Sequence, residues 1–421
     1  MFQKMKPLAR YAAGPTRLLR LGIGLVMLLL ALGLAGCQEQ ESPTTVSSET
    51  AATSETAATS EGAAPEPTPG GSEDTAAREA AAEDDLMVET VTTGLNVPWE
   101  MRFLPSGDLL VTERTGRFLR ITLPEGKPVP VGQIEVVAVG ESGLLGFDLD
   151  PQFPESPYIY VVYTYSHRGS PANRLSRFTL DGDSLGEEKV LLDGIPAGRI
   201  HDGSRVAFGP DGYLWMTMGE TGRSTLAQDR DSLAGKVLRV DTEGRPAPDN
   251  PFGTSVFTWG HRNPQGLAFH PQTGQAFVTE HGPSENDEIN ALVAGENYGW
   301  PVVTRVDGAG EFHGPIYTWT PTIAPADASF YTAGLIPGWQ GSFLFVTLKE
   351  QDLRRLEPTD EQFTGVSEEQ ILFDGAFGRL RALAIDDQGT IYLGTSNRDG
   401  RGNPTAEDDR ILRVRPKQAA K

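Results

Sequence analysis

One segment of the sequence, residues 260–301, combines residue types that could bind an anion and a metal ion. Arg262 and Asn263 come directly before one alternating apolar run, and Gly282 and Pro283 follow the next. An Arg guanidinium offers a planar fork of donors to an anion, and an Asn amide adds another donor. A Gly-Pro step can turn the chain so that carbonyl oxygens, which Ca²⁺ prefers, face one point. From pattern alone the segment fits either an anion-and-metal site or a salt-bridged loop.

The elements that must position these residues form a repeat in which an apolar run, a Pro/Asp/Gly turn and a second alternating run follow each other. Five copies begin at Arg102, Gly146, Val206, Leu267 and Leu383, and a weaker sixth begins at Pro337. The copies recur roughly every 45 to 65 residues, which leaves room for four strands per unit. The pattern predicts an all-β fold, a six-bladed β-propeller with four-stranded antiparallel blades, because radial packing protects the sheet edges. A pair of β-sandwiches is the alternative.

The N-terminal 36 residues have the features of an export signal. Five Lys and Arg residues precede the apolar run "LGIGLVMLLLALGLAGC". Cys37, the only cysteine, directly follows Leu34-Ala35-Gly36, which resembles a bacterial lipobox and predicts lipidation of Cys37. An uncleaved anchor helix or an unmodified thiol are the alternatives. We expect an exported protein that is lipid-anchored to the cell membrane and faces the periplasm or the extracellular side.

Residues 37–85 are rich in Glu, Ser, Thr, Ala and Pro and contain no aromatic side chain. Such a segment buries too little apolar surface to offset its ordering entropy, so a disordered acidic tether is expected. Residues 86–417 then form the propeller. The chain carries a formal net charge of −21, which makes it a poor nucleic-acid binder.

Four motifs in the order "GLLGFDLDPQF", "GHRNPQGLAF", "EHGPSENDEIN" and "GENYGWP" resemble the soluble sugar dehydrogenases that use pyrroloquinoline quinone (PQQ), the aldose sugar and soluble glucose dehydrogenases. The resemblance covers nearly all of residues 86–416. It implies an oxidoreductase that oxidises the C1 hydroxyl of an aldose to a lactone and passes a hydride to PQQ bound with Ca²⁺. The external electron acceptor is not indicated.

The resemblance also implies roles for individual residues. His201 matches the catalytic base, and imidazole has the proton affinity that this role needs. Arg262 and Asn263 match the pair that contacts the quinone, where a cation stabilises the charge that develops on reduction. Gly282 and Pro283 match the backbone ligands of the Ca²⁺ that bridges protein and cofactor.

Three further cations, Lys349, Arg379 and Arg381, match the groups that bind the cofactor carboxylates. Strand alternation places Arg379 and Arg381 on one face; from pattern alone this face could equally be solvated. Glu288 and the backbone of Tyr298 match a second, structural Ca²⁺ site.

The departures from the family concern Glu141, where the glucose dehydrogenases have Gln, and Glu220, where they have Asp. Both positions are expected to line the cofactor site, yet a carboxylate there must be protonated, paired or turned toward the sugar. Thr320 stands where one branch has an aromatic residue against glucose, with Trp319 one position earlier, so the sugar is not specified. A non-catalytic propeller that binds glycans or proteins, and a metal-dependent lactonase, are the alternative functions.

Overall fold

The computed structural model describes residues 80–304 and 310–417. The expected signal segment, Cys37 and all of the expected tether up to residue 79 lie outside the described residues. Within the described ranges, none of the helices has the length and apolar character needed to cross a bilayer.

Six four-stranded antiparallel sheets make up the described part of the chain and confirm the predicted six-bladed propeller. No α-helix occurs in residues 80–304 and 310–417, where the only helical segments are two 3-10 turns, Glu83–Asp85 and Ser224–Ala227. Five blades contain four strands that are adjacent in sequence and joined by antiparallel connections, whereas the sixth combines the last three strands with the first one.

Within each blade the strands follow one another from the centre of the ring to its outer edge. The first blade contains β2 (Pro98–Phe103), β3 (Leu109–Glu113), β4 (Arg117–Thr122) and β5 (Lys127–Gln133). The second contains β6 (Leu144–Leu149), β7 (Tyr158–His167), β8 (Ser170–Asp181) and β9 (Ser184–Pro196). The third contains β10 (Gly203–Phe208), β11 (Leu214–Met218), β12 (Lys236–Val240) and β13 (Val256–Trp259). The fourth contains β14 (Pro264–Phe269), β15 (Ala276–Glu280), β16 (Asp287–Ala291) and β17 (Tyr317–Trp319). The fifth contains β18 (Pro325–Phe330), β19 (Phe343–Thr347), β20 (Leu353–Pro358) and β21 (Val366–Leu372). The sixth contains β22 (Leu380–Ile385), β23 (Ile391–Thr395), β24 (Ile411–Pro416) and β1 (Leu86–Thr92).

The sequence repeat corresponds to the inner hairpin of five blades. In the fifth blade the repeat that begins at Pro337 contains only β19, and the inner strand β18 lies before it. The β18 sequence "PADASF" alternates, but two of its apolar residues are only alanines, and residues 331–342 separate it from β19. The innermost strand was therefore not recognisable from pattern in this blade.

The ring is closed by the N-terminal strand, which is the outermost strand of the last blade. Leu86 pairs with Pro416, and Thr92 pairs with Ile411. The predicted tether boundary at residue 85 is too late, because residues 80–85 already pack on the propeller. Ala81 is buried, and its carbonyl oxygen accepts hydrogen bonds of 3.1 Å from Trp339 Nε1 and from Gln370 Nε2. The small methyl side chain of Ala81 is buried although the neighbouring sequence is polar.

All six innermost strands carry a register shift near their first residues. In β14 the shift lies between Pro264 and Gly266, and in β22 it lies between Leu380 and Ala382. A β-bulge adds an unpaired residue and re-aims its side chain. Gln265 and Arg381 are the extra residues in these two strands, and both are buried and polar. The bulges therefore place polar side chains in the centre of the ring, while apolar clusters fill the spaces between blades.

Candidate functional site

The loop between β9 and β10 holds His201 in a strained backbone conformation with φ of +60°. Its peptide N–H donates to Glu141 Oε2 at 2.8 Å, and its carbonyl oxygen accepts from the Thr221 N–H at 3.0 Å. The imidazole Nδ1 lies 2.5 Å from Oε1 of Glu220, which follows β11. Because an ionised carboxylate only accepts, Nδ1 carries the proton and Nε2 keeps its lone pair. His201 is thus oriented to accept a proton through Nε2.

Glu220 is almost fully buried, and its second oxygen, Oε2, has no hydrogen-bond partner among the described residues. The carboxylate contacts the predicted base directly, so its role is to orient His201 and to balance charge on the imidazole. An unpaired buried oxygen also leaves one acceptor free for a ligand.

Glu141 is paired on both oxygens. Oε2 accepts from His201, and Oε1 accepts from Arg401 Nη1 at 2.8 Å. Burial opposes ionisation, but Arg401 and the hydrogen bonds together hold the pKa of Glu141 below its usual value. The possible repulsion between Glu141 and an anionic ligand is therefore offset by Arg401, a residue that sequence analysis did not identify.

A buried polar network around Asp202, the next residue in the chain, supports the His201 loop. Asp202 Oδ1 accepts from the Gly198 N–H at 3.0 Å, and its Oδ2 lies 2.7 Å from Ser142 Oγ. Ser142 Oγ also lies within hydrogen-bond distance of the Gly198 carbonyl oxygen. Since the hydroxyl has one proton for two acceptors, a proton on Asp202 completes the network. Burial raises the pKa of Asp202 to about 7, in agreement with this arrangement.

Arg379 directly precedes β22 and Arg381 is the extra residue of its bulge; their side chains approach the same carboxylate, and both are buried. Arg379 Nε donates to Asp399 Oδ2 at 2.9 Å, and Arg381 Nη2 lies 3.7 Å from the same oxygen. Burial lowers the pKa of Arg381 to about 10. Two guanidinium groups share one carboxylate, Asp399, so one positive charge is left for an anion.

Gln265 joins these arginines to the third and fourth blades. Its Oε1 accepts from Arg381 Nη1 at 3.2 Å, and its Nε2 donates to Asn263 Oδ1 at 3.2 Å. Asn263 Oδ1 also accepts from the Gly203 N–H, which lies two residues after His201. A continuous set of hydrogen bonds therefore connects the His201 loop with the arginine pair. Gln265 lies inside the motif "GHRNPQGLAF", and this position in the motif could have identified it as a site residue from the sequence.

Lys349 follows β19 and is exposed. Its ammonium group donates to the Thr322 carbonyl oxygen at 2.6 Å, whereas the preceding residue, Leu348, accepts from Arg379 Nη1 at 2.8 Å. Lys349 is therefore the chain neighbour of a residue that contacts Arg379, while its own ammonium group is turned to Thr322. Trp319 donates to Glu369 at 2.9 Å within the blade and is mostly buried, so this aromatic residue belongs to the core.

Arg262 lies across the site from the arginine pair. Its Nη1 donates to the His281 carbonyl oxygen at 3.0 Å, and its guanidinium lies 5.2 Å from the centre of the Trp300 ring. Its Nε is buried and has no partner among the described residues. Burial lowers the pKa of Arg262. A desolvated cation with a free donor is suited to bind an anionic group.

The four residues predicted to bind metal meet in one place. Gly282, Pro283, Glu288 and Tyr298 line a single cavity of 20 Å³, together with Glu280 and Arg262. Burial, followed by the charge of Glu280, raises the pKa of Glu288 to about 8. The buried carboxylate of Glu280 and the half-buried carboxylate of Glu288, beside a Gly-Pro turn, favour a cation. Within residues 80–304 and 310–417, however, no group of three or more His, Cys, Asp or Glu side chains could bind a metal alone. Backbone carbonyl oxygens would therefore be needed.

Asp287 fixes the turn that carries these carbonyls, and sequence analysis did not identify it. Its Oδ1 accepts from the Gly282 N–H at 2.7 Å. Its Oδ2 accepts from the peptide N–H groups of Ile323 and Ala324, each at 2.6 Å. The buried carboxylate thus uses backbone donors from two loops to hold the Gly-Pro step.

Comparisons with known proteins show which proteins this chain resembles. A family model described as glucose/sorbosone dehydrogenase matches residues 95–412. The PQQ-bound structure of an aldose sugar dehydrogenase from Streptomyces coelicolor is 37% identical, with a TM-score of 0.72 over 80% of this chain and all of that one. An aldose sugar dehydrogenase from Escherichia coli is 29% identical over 76% of this chain and 92% of its own length. A quinoprotein glucose dehydrogenase from Acinetobacter calcoaceticus is 35% identical over 53% of this chain and 54% of its own length.

Proposed function

Because the chain belongs to the glucose/sorbosone dehydrogenase family, we propose that it oxidises the C1 hydroxyl of an aldose to a lactone, with PQQ and Ca²⁺ as cofactors. The observation that carries this proposal is the contact of His201 Nδ1 with Glu220, in a site that also contains buried Arg379 and Arg381 and half-buried Arg262. A proton acceptor and cations suited to an anionic cofactor in one site support a sugar dehydrogenase of this kind.

His201 acts as the general base. Its Nε2 accepts the proton of the C1 hydroxyl, and Glu220 stabilises the imidazolium that results. The loss of that proton raises the electron density on the C1 oxygen and so assists departure of the hydride from C1. PQQ, when bound, would supply the acceptor for that hydride.

The cations of the site bind and orient the tricarboxylate cofactor. Arg379, Arg381 and Lys349 are suited to its carboxylates, and Arg262 with Asn263 to its quinone oxygens. The fit rests on the buried Nε of Arg262, which has no partner among the described residues, and on two guanidinium groups that share the single carboxylate of Asp399. We assign Glu220 and Glu141 to the support of His201 instead of direct cofactor binding.

A calcium ion fits the cavity beside the Gly282-Pro283 turn. The backbone carbonyls of Gly282 and Pro283 would hold the ion that acts with the cofactor, while Glu288 and the Tyr298 backbone would hold a structural ion. The excess of buried carboxylate at Glu280 and Glu288 supports a cation here. The export signal and lipidation of Cys37 remain part of the proposal, which places the enzyme on the outer side of the cell membrane.

The test is reconstitution of purified protein with PQQ and Ca²⁺, followed by measurement of aldose-dependent dye reduction and lactone formation. We expect turnover only when sugar and both cofactors are present. PQQ binding without sugar oxidation would favour a binding protein, and hydrolysis of added lactone without PQQ would favour a lactonase; either result contradicts the proposal.

A further inference from the structure

The exposed surface around His201 differs in character from the acidic chain that carries it. Arg199 and Ile200 directly precede His201, and Ile200 is 38% exposed. Arg223 lies two residues after Thr221, whose N–H donates to the His201 carbonyl oxygen. Arg199 and Arg223 are both exposed. Within residues 80–304 and 310–417, neither guanidinium lies at ion-pair distance from a carboxylate.

Two further residues extend this surface, since the Glu141 N–H donates to the Arg199 carbonyl oxygen. Val139 lies two residues before Glu141, which accepts the His201 N–H, and Val139 is 37% exposed. Arg401, the partner of Glu141, has a side chain that is 52% exposed. Val139, Arg199, Ile200, Arg223 and Arg401 therefore form a rim of three arginines and two aliphatic side chains; we call it the arginine rim.

The proposed reaction releases electrons that an external acceptor must take up. Oxidation of an aldose to a lactone breaks the C1–H and O–H bonds, forms the C1=O bond, and releases two electrons and two protons. The protons pass to solvent, but the electrons require an acceptor before the next turnover. Two molecules of a one-electron carrier, each reduced once, balance one lactone.

We propose that the arginine rim is the docking surface for an acidic one-electron carrier protein. This inference rests on the proposed function. Complexes between redox proteins are small and transient, and complementary charge mainly increases their association rate. An apolar centre at Val139 and Ile200, bordered by arginines, suits an acidic partner with an apolar contact patch. The position beside His201 brings the carrier to the mouth where substrate is oxidised.

A small anionic sugar explains the rim less well. The arginines of the rim are exposed on its outer surface, whereas a sugar in position for proton transfer must reach Nε2 of the largely covered His201. Aliphatic side chains at Val139 and Ile200 offer a sugar carboxylate no hydrogen bond. Both features fit a macromolecular contact.

The experiment uses the protein loaded with PQQ and Ca²⁺, with glucose as donor and three acceptors: an acidic plastocyanin, a basic cytochrome c and a neutral short-chain quinone. The variant is Arg199→Glu with Arg223→Glu. The matched control is Arg245→Glu, which reverses an exposed arginine paired with Asp241 in the turn after β12. Neither Arg199 nor Arg223 contacts the catalytic groups through its side chain.

We expect the parent to reduce plastocyanin faster than cytochrome c, with a rate constant that falls about tenfold between low and physiological ionic strength. The double variant should reduce plastocyanin about tenfold more slowly and lose most of this salt dependence. Quinone reduction, and all rates of Arg245→Glu, should match the parent. If the double variant also slows quinone reduction, the single variants Arg199→Gln and Arg223→Gln replace it as the test. We expect each of them to reduce plastocyanin more slowly than the parent and to reduce the quinone at the parental rate.

Equal plastocyanin rates in parent and variants would overturn the proposal, as would faster reduction of cytochrome c by the parent. Glucuronate, an anionic sugar, serves as a second donor. If the double variant no longer oxidises glucuronate but still reduces plastocyanin at the parental rate, the arginine rim binds an anionic substrate, and the proposal is again overturned. Absence of sugar-dependent quinone reduction in the parent would instead contradict the proposed function itself, so the two failures are distinguishable.

Discussion

The Nδ1 atom of His201 lies 2.5 Å from Oε1 of Glu220, and this contact orients the imidazole of the proposed base. The two residues are on either side of the β10–β11 hairpin, so one structural unit carries both. Glu220 is buried, which strengthens its electrostatic effect on an imidazolium compared with water.

Replacement of Glu220 by Gln should retain the shape of the site but remove the charge that stabilises protonated His201. We expect kcat to fall about tenfold to a hundredfold, with little change in PQQ affinity. Steady-state kinetics at saturating PQQ and equilibrium PQQ titration measure the two quantities. Unchanged kcat would mean that Glu220 has no role in proton transfer.

Replacement of His201 by Ala should separate chemistry from binding. PQQ affinity should stay close to that of the parent, while kcat falls by about 10² or more because the general base is absent. Thermal unfolding serves as the control for folding. Near-parental turnover at saturating PQQ and Ca²⁺ would show that another group removes the proton.

Neutralisation of Arg379 or Arg381 by Gln should have the opposite effect. We expect the PQQ dissociation constant to rise about tenfold or more, with activity partly restored at high PQQ concentration. Arg413→Gln is the control, since Arg413 pairs with Glu89 between the outer strands β24 and β1. If cofactor affinity does not change in either variant, the arginine pair does not bind the cofactor.

The Asp202 network predicts how stability depends on pH. The pKa of the Asp202 carboxyl is about 7 in the folded protein and near 3.8 when the residue is exposed. The folded state therefore holds a proton that the unfolded state loses between these values, and stability from this group falls as pH rises from about 4 through 7. Asp202→Asn should remove this component. Melting temperatures from pH 5 to 8.5 test it, and parallel curves for parent and variant would contradict it.

Replacement of Glu288 by Gln should weaken Ca²⁺ binding, because the cavity would retain only the carboxylate of Glu280. Isothermal titration of the protein with Ca²⁺, before PQQ is added, should give a dissociation constant about tenfold higher than that of the parent. Glu285→Gln, an exposed change in the same loop, is the control. Chelation of Ca²⁺ should also abolish aldose oxidation by the parent. Equal affinities in Glu288→Gln and parent would place the ion elsewhere.

The sequence by itself determined the propeller, and it named most residues of the candidate site. Strand alternation and Gly/Pro turns are local properties, so five of the six inner hairpins were recognisable from their own residues. The motif around Arg262 and the Gly282-Pro283 step lies within one hairpin and its flanking loops. Those residues had to lie at neighbouring strand ends, and the structure places Arg262 and the predicted metal ligands around one cavity.

Only the tertiary structure decided which distant residues meet. Glu141 pairs with Arg401 although 260 positions separate them, and Gln265 bonds Arg381 across 116 positions. Ala81 is buried in a segment whose composition indicated a tether. Such contacts depend on how six blades close into a ring and on where bulges re-aim side chains in the innermost strands. Local sequence periodicity describes each strand separately, so it contains no information on these distances.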